Sequence, residues 1–174
     1  MAALDNQPLT TRLQGQNWFK FQLQRAPSVS FFSHKVKLPG VASNGPEAPT
    51  QYLALPKMGD HLMFEPLLAT FQVDAQFQNW LEIWNWMNAL TNSDGTAVGF
   101  NQMERNADYL GYGLYSGIQL FVLDSQQQPS LVFNFENAIP VALSGLEFAD
   151  TIDQEQYIEA TVVFKYVKYT VSLP

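Results

Sequence analysis

Alternation of apolar and polar side chains is the dominant pattern along the chain. Between Trp18 and Arg25, Phe19, Phe21 and Leu23 share one face while Lys20, Gln22 and Gln24 share the other, the period of a half-buried strand. After Ala26-Pro27, the run Val29 to Leu38 reads as a second strand, with Phe32, Val36 and Leu38 opposite Lys35 and Lys37. A third runs from Pro66 to Val73 with Leu67, Ala69, Phe71 and Val73 on one side. Further on, Ile118, Leu120 and Val122 alternate, as do Leu131, Phe133 and Phe135 after the polar turn from Ser125 to Pro129. Ala138 to Phe148 follows with a break near Ser144-Gly145. The last strand, Gln156 to Val171, is the longest: Ile158, Ala160, Val162, Phe164 and Tyr166 lie on one face, and Glu159, Thr161, Val163 and Lys165 on the other. Lys168 then falls in phase with the apolar set, which predicts a bulge or twist near Val167.

One segment has a different period. Asp74 reads as a helix N-cap, and Phe77, Trp80, Leu81, Trp84, Met87 and Leu90 follow at helical spacing, with Ile83 and Trp86 widening the stripe. Trp80, Trp84 and Trp86 lie within seven residues and cannot all enter one small core. At least one therefore faces a partner, and core packing is the stronger reading for Trp80 and Trp84. The strands and this helix together predict a mainly β (α+β) fold, an antiparallel β-sandwich or barrel with one flanking α-helix. Residues 1–16 read as a polar arm and residues 17–174 as a single domain; Thr91 to Tyr115 has no firm periodicity.

Between Pro39 and Pro56 the punctuation changes. Pro39, Gly40, Gly45, Pro46, Pro49 and Pro56 exclude a continuous helix or a central strand. Connections this long are uncommon unless they are functional or disordered. The segment is either a solvated loop or an arm that orders against a neighbouring subunit.

Composition sharpens this picture. Charged residues make up 14% of the 174, against about 25% in an ordinary globular chain, and a charge-poor exterior is more easily desolvated against copies of itself. Sixteen acids against nine bases give a net charge of −7, which excludes the basic footprint of a nucleic-acid binder but suits a conduit that must not hold DNA. No cysteine is present, so disulfides, thiolate zinc sites and cysteine nucleophiles are excluded together. Met1 to Arg12 lacks an apolar core of signal-peptide length, and no window approaches a membrane span. A soluble protein made in the cytosol is expected.

Candidate chemistry is sparse. The two histidines, His34 and His61, would need to converge with an acid to hold a metal, and His61 beside Asp60 is better explained as a polar turn. There is no P-loop, no nucleophile elbow and no complete dinucleotide fingerprint; Gly111-Tyr112-Gly113 is the nearest fragment. The acids Asp150, Asp153 and Glu155 offer a paired-carboxylate site for a hydrolase, although an acidic turn is the commoner origin of such a cluster. No cofactor or metal site is expected.

Two blocks carry a family resemblance. The first holds Leu38-Pro39-Gly40, the Pro-rich connection, Gly59-Asp60-His61-Leu62, Glu65-Pro66-Leu67, Phe71-Gln72-Val73-Asp74, and Asn79-Trp80-Leu81-Glu82-Ile83-Trp84-Asn85-Trp86. The second is Ser144-Gly145-Leu146-Glu147-Phe148 followed by Tyr157-Ile158-Glu159-Ala160-Thr161-Val162. Together, over residues 17–171, they resemble the tail tube proteins of contractile-tailed bacteriophages. That fold is shared by tube initiators at the baseplate and by the inner tubes of bacterial secretion and puncturing devices. The acid-poor stretch after the helix and its extra aromatics depart from the family pattern, which leaves tube protein and initiator both open.

The resemblance implies a non-enzymatic virion protein, assembled in the host bacterial cytoplasm. Six copies would form a ring, and rings would stack into a tube. DNA and a tape measure protein would pass through the lumen without specific binding, and sheath, baseplate and terminator proteins would be the outer partners. It implies inter-subunit or inter-ring roles for Pro39, Gly40, Pro46, Pro49, Pro56, Gly59, Asp60 and His61. The helix would face the sheath through Trp80, Trp84 and Trp86, and Glu159 and Thr161, on the polar face of the last strand, would line the lumen. Two other classes stay open on the residues alone: a hydrolase using the acids between Asp150 and Glu155, and a monomeric carbohydrate-binding module stacking sugars on Trp84, Trp86 and Tyr112.

Overall fold

The computed structural model describes residues 14–15, 18–43, 45–49, 52–59, 61–91, 114–148 and 157–173. Eleven strands and two helices follow in the order β1 (Phe19–Leu23), α1 (Pro27–Phe32), β2 (Ser33–Lys37), β3 (Val41–Ser43), β4 (Glu47–Pro49), β5 (Ala54–Pro56), β6 (Leu62–Phe64), β7 (Leu67–Gln72), α2 (Gln78–Thr91), β8 (Ser116–Leu123), β9 (Pro129–Leu143), β10 (Glu159–Lys165) and β11 (Lys168–Ser172). Seven strands form one sheet in the order β1-β8-β9-β10-β7-β2, with β11 also pairing β9. Every pairing is antiparallel.

The sheet turns over on itself along β9. Its first half pairs with β8 and β11, and its second half with β10. At the changeover Asn137 adopts φ 55°, a left-handed conformation that asparagine tolerates better than most residues. Opposite it the partner strand breaks at Tyr166-Val167, where the Val167 N–H donates to the Glu136 carbonyl at 3.1 Å. A corner of this kind lets one strand serve two layers. It also shows why Lys168 departs from the apolar phase: the bulge turns it outward, 3.4 Å from Glu136.

The core lies between the layers. Phe21, Leu23, Ile118, Leu120, Phe133 and Phe135 fill it from β1, β8 and β9, and Leu67, Phe71, Val162 and Phe164 from β7 and β10. Complete burial of a side chain such as Phe71 or Phe164 stabilises by about 1.5–3 kcal/mol relative to exposure. Ile83 and Trp86 of α2 close the same cluster.

Three expectations need correction. Val29 to Phe32 is helix, not strand: Pro27 sits in the first turn of α1, where its fixed φ and missing N–H are harmless, and Val29 is buried from that helix. The second strand is confined to β2, and Leu38 is exposed beyond it. The segments expected as separate strands around Phe133 and after Ala138 are one strand, β9, and Phe148 lies outside it. Most of the expected N-terminal arm, most of the stretch from Thr91 to Tyr115, and Asp150, Asp153 and Glu155 lie outside the described residues.

Candidate assembly surfaces

The segment between β2 and β7 is a projecting arm of two ribbons. Near its base β3 pairs with β6, and further out β4 pairs with β5. Gly45 stands between them because an added Cβ there would collide with the Lys57 carbonyl oxygen. The Lys57 N–H in turn donates to the Pro46 carbonyl at 2.9 Å. The prolines that end these short strands limit each free edge to a short run of backbone hydrogen bonds.

The base of the arm is clamped. Backbone N–H groups of Gly40 and Glu65 donate to the Glu65 carboxylate at 3.3 Å and the Gly40 carbonyl at 3.1 Å respectively. Tyr166 donates its hydroxyl to the Glu65 carbonyl at 2.8 Å. Phe64 packs edge-on against Tyr169, with centroids 5.3 Å apart, and Tyr166 packs on Phe135 at 5.0 Å. Burial first, then the neighbouring Tyr169 and Glu65, pushes the Tyr166 phenol up to about 12, so it stays a donor throughout the neutral range.

Beyond the clamp the arm is apolar and open. Tyr52 is 90% exposed and Met58 96%, and Leu53, Leu55, Leu62 and Met63 are each at least half exposed. Of the residues expected to mediate subunit contacts, Pro39 is buried at the base; Gly40, Pro46, Pro49 and His61 are exposed; and Gly59 is half-buried. Pro56 ends β5, and Asp60 lies outside the described residues. Isolated two-stranded ribbons are marginal in water, and these side chains gather much of the exposed apolar surface of the described residues on one arm.

Helix α2 begins one turn later than its cap. The Asp74 carboxylate accepts the N–H groups of Gln76 at 2.9 Å and Gln78 at 3.0 Å, and Phe77 takes φ 59° to enter the helix. Asn79, fully buried, ties helix to sheet. Its amide donates to the Gln72 carbonyl at 2.7 Å, and its oxygen accepts the N–H groups of Trp80 and Asp74. The apolar stripe of the sequence does not include Asn79, because a polar residue in the first turn of a helix normally signals exposure.

The inward stripe of α2 runs through Asn79, Ile83 and Trp86. Trp86 is 2% exposed, donates its indole N–H to the Leu114 carbonyl at 3.3 Å, and lies beneath the Arg25 guanidinium at 5.2 Å. It is therefore a core residue, which corrects its expected outward role. Trp84, expected in the core, is 45% exposed beside exposed Leu81, and Trp80 is half-buried. A sugar platform built on Trp84 and Trp86 loses its second ring, and Tyr112 lies outside the described residues.

The outer faces of the sheet differ in character. Thr161 faces Thr70 with hydroxyls 3.0 Å apart, and Glu159 meets His34 at 3.3 Å. The pairing Lys35↔Thr70, Lys37↔Leu68 and Lys165↔Ile139 puts three lysines on this same face. On the other layer, Gln22, Gln119, Asn134 and Thr170 share one outward row. Gln119 donates to Asn134 at 2.8 Å and Asn134 to Ser172 at 3.4 Å. Among the described residues of these strands, the charges on that layer's outer face are Lys20 and the Lys168–Glu136 pair. No helix among the described residues is long and apolar enough to cross a membrane.

Residues 7–172 match the family described as phage tail tube protein. No curated protein matches the chain. Among solved structures, a chain of the anti-feeding prophage baseplate, determined by cryo-EM with sixfold symmetrisation, is 11% identical, with a TM-score of 0.64 over 94% of this chain and 97% of that one. A chain of the sheath-tube complex of an extracellular contractile injection system in its extended state is 11% identical, with a TM-score of 0.62 over 94% of each. The tube terminating cap of the anti-feeding prophage is 13% identical, with a TM-score of 0.59 over 100% of both. At such identities the likeness is one of fold.

Proposed function

We propose that this chain, which belongs to the phage tail tube protein family, is a structural ring-former: six copies make a ring, and rings stack into the inner tube of a contractile tail. The arm carries this reading. Its base is fixed to the sheet by Tyr166 and Glu65 while its outer ribbon presents Tyr52, Leu55 and Met58 to solvent, the arrangement of an anchored connector with a free apolar end. Strands β1 and β2, the two ends of the sheet path among the described residues, give a ring further surface to close on. Six copies accord with the sixfold symmetrisation of the similar baseplate structure.

The outer partners follow from Leu81 and Trp84 on α2, a surface suited to a sheath or baseplate protein. DNA is the cargo we favour, with a tape measure protein preceding it, and assembly takes place in the bacterial host before the tail joins the virion. The neutral row Gln22, Gln119, Asn134 and Thr170 makes a better channel wall than the face of Glu159 and Thr161. On the latter, Lys35, Lys37 and Lys165 repeated six times would hold phosphates by counterion release. The cap structure supports a second reading, a ring at one end of the tube, since the likeness there covers both chains in full.

Negative-stain microscopy across a concentration series, with light scattering on the same samples, tests the proposal. Sixfold rings or stacked tubes are expected. A uniform monomer at every concentration, with and without a preformed tube end as template, would overturn it.

A further inference from the structure

A groove beside the open edge of β1 offers a receptor for the arm. It has a volume of about 530 Å³, with the edge of β1 from Lys20 to Leu23 and the following Gln24 on one side and Pro27, Ser30 and Phe31 of α1 on the other. Phe31 is 82% exposed, an unusual position for a phenylalanine that follows a buried helix turn. The edge itself can be read from its hydrogen bonds. Gln24 donates to the Gly117 carbonyl and Leu123 to the Trp18 carbonyl, so residues 18, 20, 22 and 24 direct their backbone groups towards β8. Phe19, Phe21 and Leu23 therefore direct theirs to the open side. The Ser30 hydroxyl takes the Leu23 N–H at 2.7 Å, which closes that end of the edge. Phe19 and Phe21 remain, with no strand pairing them on that side among the described residues.

We infer that this groove and edge receive the outer ribbon of the arm, β4 and β5, from a second copy of the chain. The inference rests on the ring-forming reading above and identifies where its connector lands. A short extended segment added at Phe19 and Phe21 gains backbone hydrogen bonds, while alternate side chains enter the groove. The arm supplies such a segment: among the described residues β5 is paired on one side only, by β4, and Leu55 on it and Tyr52 just before it are exposed. Charge agrees, since Lys20 is the one charged residue lining the groove and Glu47 the one charged residue of the two strands. In a single chain Phe31 at the groove and Tyr52 and Leu55 on the arm stand in solvent; contact between copies covers them together. The lysine at the mouth also discourages two β1 edges from pairing with each other.

The absence of cysteine makes a direct test available. Chains carrying Phe31→Cys are mixed with chains carrying Tyr52→Cys, assembled, and treated with a short bismaleimide. A product joining one chain of each kind, absent when either variant is treated alone, is expected. Separately, Phe31→Asp and Tyr52→Ser should each leave the monomer's melting curve in place while raising the concentration needed for tubes by at least about tenfold, the change that accompanies loss of one aromatic's burial. Tubes that form normally from both variants and yield no mixed product would overturn the docking site and leave the ring-forming reading standing. Wild-type chains that never assemble would remove both.

Discussion

Replacing Trp86 should cost far more than replacing Trp84, although the two are only two residues apart: about half a helical turn separates them, so they face opposite sides of α2. Trp86→Ala removes a side chain packed against Phe164 at 6.2 Å and 2% exposed, and such a deletion costs about 3–5 kcal/mol through lost burial and the cavity left behind. The 3.3 Å bond to the Leu114 carbonyl adds about 1 kcal/mol if that acceptor is left dry, and the Arg25 contact adds about 0.5–1 kcal/mol. Part of each sum is returned by relaxation, so about 4 kcal/mol is the working figure. Trp84→Ala, at an exposed position, should stay within about 0.5 kcal/mol. Urea unfolding of unassembled protein, followed by far-UV circular dichroism, reads the difference: with a slope of about 2 kcal/mol/M, Trp86→Ala moves the midpoint by about 2 M. Trp86→Phe, which keeps the ring but loses the N–H, should fall between. Equal midpoints for the two alanine variants would refute the assignment of the buried face and, with it, the claim that α2 meets its outer partner through Trp84.

Other expectations follow from single contacts. Asp74→Ala removes the acceptor of two N–H groups at the start of α2 and should lower stability by about 1 kcal/mol in the same urea assay; no change would mean that water caps the helix equally well. Gly45→Ala should leave the sheet's stability unaltered but block tube formation, since its Cβ meets the Lys57 carbonyl and displaces the outer ribbon; microscopy decides. Tyr166 titrates at about 12 when folded against 10.0 ordinarily. Its contribution to stability is thus complete below pH 10 and is lost as pH rises through about 12. Thermal melts of Tyr166→Phe should be flatter than wild type across that window, and parallel curves would show that the phenol is not held. For the channel wall, assembled tubes of Gln119→Cys should react with a small maleimide but resist one too bulky to enter from the ends. The same tubes made from Thr161→Cys serve as the comparison, and bulky labelling of residue 119 would place that row outside.

What could be read from the chain and what could not divide along a physical line. Strands β7, β8 and β10 are legible because each buries one face, so the period of two records the structure directly: Leu67, Ala69 and Phe71, then Ile118 and Leu120, then Ala160, Val162 and Phe164. The failures come where burial is decided by something distant. Val29 to Phe32 has the composition of a strand, yet Pro27 starts a helix and Ser30 closes the edge of β1, a contact seven residues back that no local period encodes. On α2 the apolar residues surround most of the helix, so periodicity could not choose between Trp84 and Trp86. The choice was made by Asn79, whose bonds to the Gln72 carbonyl and the Asp74 N–H fix the helix's rotation on the sheet and carry Ile83 and Trp86 inward. A buried asparagine that satisfies its own amide thus does what no apolar residue on the helix can do. It ties the helix to the sheet in one rotation, with Leu81 and Trp84 left outside. The exposed aromatic surface is then a result of how the helix is anchored, and Asn79→Leu should shift the exposure from Trp84 to Trp86 before it unfolds the domain.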